Sequence, residues 1–263
     1  MRGGRRWLRR VRNERSNVIH YHGADLNPAH DMVKIFPGRH AIVSYAYPES
    51  IAISVEICQS VVLDNGAFTA WKKSIAFDFD GYTDWCRHWL RHPAVDWCVI
   101  PDKIDGDESE NDALIDRWEL PAAISVPVWH LHESLERLER LMKFPRIALG
   151  SSGVYADPGS NDWWHRMTDA MAVLCDSEGY PKVKLHGLRM LNPGIFSKLP
   201  LASADSSMVA RNAGMDGRWR TNMVPKSKVI RAAILMERIE RHASAAFWNP
   251  ESVGAYQNME LFG

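Results

Sequence analysis

Short apolar runs recur along this chain, separated by longer stretches whose apolar residues return every three or four positions. The short runs are NVIHYHG (17–23), HAIVSYA (40–46), SVVLDNG (60–66), DWCVIPD (96–102), ISVPVWH (124–130), RIALGSS (146–152), VKLHGLR (183–189) and LASADSS (201–207). Most are apolar at consecutive positions, the pattern of strands buried on both faces of a parallel sheet. The intervening stretches read as helices. PESIAISVEIC carries Pro48 at a first-turn position, and YTDWCRHWLR is amphipathic. SLERLERLMK opens on Ser134 as a cap and sets Leu135, Leu138 and Leu141 on one face; SNDWWHRMTDAMAVLC and SKVIRAAILMERIERHA are the other long ones. Eight strands alternating with helices over about 250 residues predict an α/β chain closed as a single (β/α)8 barrel. The competing fold, an open doubly wound sheet, calls for a glycine-rich phosphate loop after an early strand, and no GxGxxG or GxxxxGK is present.

Composition adds bounds. Of 263 residues, 46% are hydrophobic and 24% charged, an ordinary globular balance. No apolar run is long enough for a transmembrane helix, and the basic N-terminus lacks the apolar segment of a secretory signal. Cys58, Cys86, Cys98 and Cys175 are widely spaced without a CxxC pair. Reduced thiols in a cytoplasmic protein are therefore expected, the host cytoplasm if the chain is phage-encoded. The net charge is zero, yet residues 1–15 hold seven arginines against Glu14 alone, which leaves the remainder acidic. Residues 1–16 read as a basic arm and 17–263 as the barrel. Arg5, Arg6, Arg9 and Arg10 form either a solvated tail or a phosphate-binding arm whose affinity comes from counterion release.

Barrels of this kind place their chemistry at the carboxyl ends of the strands. Those ends carry His20 and His22, Tyr45, Asp64, Asp102, His130 and His132, Ser151, His186 and Asp205. One aspartate ending a strand is ordinarily a helix cap. Three of them, each ending an apolar run, exceed what capping requires.

The tips also carry a resemblance. LDNGAF (63–68) resembles the DSGGF turn of the tRNA-guanine transglycosylases. VIPDKIDGDE, IALGSSG, KLHGLRMLNP and LASADSSMVARNAG follow in that family's order, over roughly residues 17–214. The wording is nearest to the phage and mobile-element branch that inserts 7-deazaguanines into DNA. The resemblance implies a base-exchanging pentosyltransferase acting on nucleic acid, DNA rather than tRNA. In it Asp205 is the nucleophile at the sugar and Asp64 the general acid and base. Asp102 reads the purine edge, while Gly150, Ser151, His186 and Gly187 border the base, with Phe68 and Tyr45 as stacking candidates. Arg211, Arg218, Arg220, Lys72 and Lys73 are candidate phosphate contacts, with solvated helix faces as the plainer reading. Two departures stand out. The family's CxCxxC…His zinc site is absent, so no metal or cofactor is expected. His130 occupies the place of a base-holding glutamine, which leaves the identity of the base open.

The residue types suit that chemistry. A carboxylate can attack an oxocarbenium-like anomeric carbon and leave again, a second carboxyl can move the base's proton, and a third can accept guanine's N–H donors. A base in a duplex would have to be flipped into the mouth. Two rivals remain open at this point. In an amidohydrolase-type metal site, His20, His22, His130, His132 and Asp205 would be ligands. A non-catalytic nucleic-acid-binding module would use the arginine-rich arm but gives the three acids no role.

Overall fold

In the computed structural model, alternate residues of each apolar run face opposite ways. Tyr21, Ile42, Val62, Trp97, Val99, Val126, Val128 and Ala148 form one buried cluster. Their neighbours Val61, Leu63, Cys98, Ile100, Trp129, Leu131, Ile147 and Leu149 belong to a second, larger one shared with the helices. A strand has a side-chain period of two, so both clusters are satisfied only if the sheet curls around the first and is wrapped by helices over the second. The structure describes residues 15–16, 18–26, 29–214 and 225–253.

The strands are β1 (Ile19–Gly23), β2 (His40–Ser44), β3 (Ser60–Asp64), β4 (Val95–Val99), β5 (Ser125–Val126 and Val128–His130), β6 (Arg146–Gly150), β7 (Lys184–Gly187) and β8 (Ser203–Ser206). All neighbours are parallel, and β8 returns to β1 with Asp205 opposite Tyr21. The two segments of β5 are separated by one residue, Pro127, which has no N–H to give the ladder. Pro127 still accepts from the Ala148 N–H at 2.9 Å, while Val126 accepts from Ile100 at 2.8 Å. Nine segments therefore make eight strands, and the circle closes through Pro127.

The helices are α1 (Met32–Ile35), α2 (Ile51–Ile57), α3 (Ala67–Lys73), α4 (Phe79–Trp89), α5 (Glu108–Arg117), α6 (Leu135–Leu141), α7 (Asn161–Leu174), α8 (Pro193–Phe196), α9 (Met208–Asn212) and α10 (Lys228–Glu240). Ser134, Ser160 and Ser227 cap α6, α7 and α10 through their side chains. Neither α5 nor α3 stands out in the hydrophobic pattern. The first is held by a capping box between Asp107 and Glu110.

The interior below the mouth is filled, as a barrel of eight strands requires. Toward the amino ends of the strands, Tyr21 donates to Asp96 at 3.1 Å and Arg146 to Ser203 at 2.9 Å. Among the described residues no helix is long and apolar enough to cross a membrane. All four cysteines are free and buried.

Candidate active site at the carboxyl-terminal mouth

The run Asp64-Asn65-Gly66 builds the mouth's first wall. Asp64 lies two residues beyond the inward-facing Val62, so strand periodicity aims it inward. Gly66 then turns the chain at φ 76°, and a Cβ there would lie 2.9 Å from the backbone nitrogen of Ala46. Its N–H donates to Asp64 Oδ2 at 3.0 Å. Asn65 turns away and stitches two strand ends together: its amide donates to the Ile100 carbonyl at 2.9 Å and to Asp102 Oδ1 at 2.7 Å. Burial raises the Asp64 carboxyl to about 6; the charges of Asp205 and Asp102 push the same way, against hydrogen bonds from Ser44 and Gly66.

Asp102 is held at both oxygens. Besides Asn65, His130 Nε2 lies 2.8 Å from its Oδ2. His130 follows Val128 by two on β5 and so also points inward. Its ring fits only because residue 150 is glycine: a Cβ there would lie 2.9 Å from His130 Nδ1. The His130 N–H donates to Glu133 at 2.9 Å, and Glu133 takes further bonds from Asn111 (2.9 Å) and Arg137 (2.6 Å). Glu133 and Arg137 are each only 1% exposed. A buried pair so fully bonded fixes the β5 tip, because losing any member strands a charge.

Asp205 faces them from β8, with its Oδ1 taking the Arg189 N–H at 3.0 Å. His186 Nε2 lies 3.3 Å from the same oxygen. His186 is fully buried among Trp97, Tyr21 and Ser203, and burial lowers its pKa. It stands beneath Asp205 and does not border the open mouth, a correction to its expected place beside the base. Arg189 has φ 58°. Its guanidinium lies 4.4 Å from the centre of the Phe68 ring and donates to the Ser151 carbonyl.

The remaining candidates divide. Asp64, Asp102 and Asp205 converge on one mouth, with Phe68 on its rim. The Ser151 hydroxyl is taken by the Trp163 indole at 2.8 Å, so that side chain serves α7 and its carbonyl serves Arg189. Tyr45 packs on Tyr82 and Trp85 of α4 and donates to Asp78 at 3.2 Å; it does not face the mouth. At Gly187, a Cβ would meet Met190 at 2.8 Å, which makes this glycine a packing requirement. Lys72 and Lys73 end α3, and Lys73 lies 5.0 Å over the Tyr47 ring. Arg211 lies on α9 and bonds Ser207 at 2.9 Å. Arg5, Arg6, Arg9, Arg10, Arg218 and Arg220 lie outside the described residues.

The metal arrangement is not formed. Tyr21 points into the barrel, so its neighbours His20 and His22 point out toward the helices. His20 Nε2 meets the His242 carbonyl at 3.0 Å, and His22 Nε2 meets Glu240 at 3.0 Å. Burial opposes it, yet the bonds of Glu240 with His22 and Arg39 hold its carboxyl down at about 2. Among the described residues no group of three or more His, Cys, Asp or Glu is placed to hold a metal ion.

Sequence reading missed Asn65, Arg189, Ser44 and Glu133. Asn65 lies inside the quoted turn, where its position beside Asp64 was the available signal. Ser44 lies inside the HAIVSYA run and Arg189 inside KLHGLRMLNP, where nothing marked either out, and Glu133 lies outside every quoted segment. No protein-family model matches the chain, and no curated protein or solved structure matches it.

Proposed function

We propose that this chain is a transglycosylase exchanging guanine in nucleic acid, DNA rather than tRNA, for a 7-deazaguanine through a covalent Asp205–sugar intermediate. The observation that carries the reading is the pair Asp64 and Asp205, two carboxyls at one mouth in different settings. Burial and neighbouring anions push Asp64 to about 6, so it keeps a proton nearer neutrality than an ordinary aspartate. Asp205 instead receives the backbone N–H of Arg189 and has the His186 imidazole beside it.

The reaction follows from those settings. The Asp205 carboxylate attacks C1′ of the target nucleotide, and the bond to the departing base breaks. The base leaves with the proton of Asp64. The incoming base then gives its ring proton to Asp64 and attacks C1′, releasing Asp205. Two displacements return the original anomeric configuration. Asp102 receives the N–H groups of guanine's edge, because each oxygen bonded to Asn65 or His130 keeps a second lone pair.

Incubation with labelled guanine and either DNA or tRNA tests this. Label should enter DNA, and a denaturation-resistant protein–DNA species should appear when no free base is supplied. Absence of both label transfer and adduct, in DNA and tRNA alike, would refute the proposal.

A further inference from the structure

We infer that Arg189 is an anion site at the mouth, built to take a phosphate group of the nucleotide whose sugar meets Asp205. The assignment of that sugar rests on the proposed function; the anion site itself does not.

Three observations carry it. First, the backbone of Arg189 is left-handed at φ 58°, a conformation shared among the described non-glycine residues only with Ser74. Its N–H is spent on Asp205 Oδ1 at 3.0 Å, which ties the position of this guanidinium to the position of that carboxylate. Second, the guanidinium lacks an acid. Arg137 has Asp112 and Glu133, and Arg39 has Glu240. Arg189 donates only to one carbonyl, that of Ser151, and no carboxylate of the described residues is within ion-pair distance. A guanidinium has five N–H donors, so most of these are uncommitted. None of its nitrogens is among the sealed-off buried atoms that lack a partner, so the uncommitted donors are open to solvent.

Third, the surroundings select for an anion. Phe68 covers one face of the guanidinium at 4.4 Å and leaves its edge for in-plane bonds. Burial and the repulsion of Arg211 both lower the pKa of Arg189, while Asp205 attracts the charge. An anion bound at Arg189 offsets that repulsion. The planar fork fits two oxygens of a phosphate. In a nucleic acid the phosphates flank the very sugar that Asp205 would attack, so an anion beside Asp205 is what this substrate brings.

Calorimetric titration with deoxyguanosine, deoxyguanosine 5′-monophosphate and inorganic phosphate tests the site. The wild-type protein should bind the monophosphate about tenfold or more tightly than the nucleoside. Arg189→Gln, which removes the guanidinium and its charge while keeping a polar side chain, should bring the two within about twofold. Arg189→Gly suits the left-handed backbone, so it guards against misfolding and should lose the same discrimination. Equal binding of nucleoside and monophosphate by the wild type would overturn the inference. So would full discrimination retained by both variants. If discrimination depends on Arg189 but no base exchange occurs, the anion site stands and the transglycosylase reading falls. Inorganic phosphate bound as tightly as the nucleotide would overturn the assignment to a nucleotide, because the sugar and base would then add nothing.

Discussion

Replacing Asp64 with asparagine should make the protein more stable and less active at once, and the stability gain should depend on pH in a defined direction. In the unfolded chain this carboxyl ionises near 3.8; in the folded protein it does so near 6. Between those values the native state keeps a proton that the unfolded state has released. Ionisation there favours unfolding, so stability falls as pH rises through the window and is level above it. The gap is about two pH units, and at 1.36 kcal/mol for each the loss is about 3 kcal/mol. An asparagine side chain has no charge to bury, and its oxygen can still accept from the Gly66 N–H. Asp64→Asn should therefore match the wild type near pH 3. It should exceed it by up to about 3 kcal/mol at pH 8, a rise in Tm of roughly 6–10 °C for a domain this large. Thermal unfolding of both proteins from pH 3 to 8 is the assay, with base exchange measured alongside and expected to fall about 10²–10⁴-fold. A stability difference that does not change with pH, or an asparagine variant less stable at pH 8, would refute the buried-acid argument.

Asp205→Asn should abolish both the covalent species and exchange on a denaturing gel, whereas Asp64→Asn should still permit slow adduct formation. Gly150→Ala places a methyl 2.9 Å from His130 Nδ1 and should displace that ring from Asp102, lowering stability by about 1–3 kcal/mol and weakening guanine recognition, read as a raised KM. Deleting residues 1–15 should flatten the slope of log K against log salt for DNA binding; an unchanged slope would remove the arm from the interface.

The strands and their inward faces were legible because a closed barrel repeats one local rule eight times. Each of the eight apolar runs holds a strand, and the three acid-terminated runs deliver their acids to one end. What could not be read was partnership. Asp102 is legible as a strand-end acid, but its two oxygens are organised by Asn65, just past β3, and by His130 on β5. His186 lies inside its run, and where His130 pairs with Gly150 of β6, His186 pairs with Ala148, which leaves it a layer lower, under Asp205. The helix α5 was invisible to a search for apolar periodicity, since most of its residues are polar; its signal was the capping box. Arg189 lies inside the quoted KLHGLRMLNP, but its role was not legible there, because its backbone N–H is held by a residue sixteen positions away.

The pairing of β8 with β1 has a consequence for where the chain can be cut. Arg15 and Ser16 pair antiparallel with Ala245 and Ser244, just before the amino end of β1 and beyond α10. Both ends of the fold therefore meet on the side away from the three acids. Bridging them with a short linker and opening the chain between α6 and β6, also on that side, leaves all eight turns of the mouth covalently intact. In such a circular permutant the β8–β1 pairing would become a neighbourly one, and the long loop would instead be closed by β6 against β5, two strands whose order around the barrel the mouth does not sense.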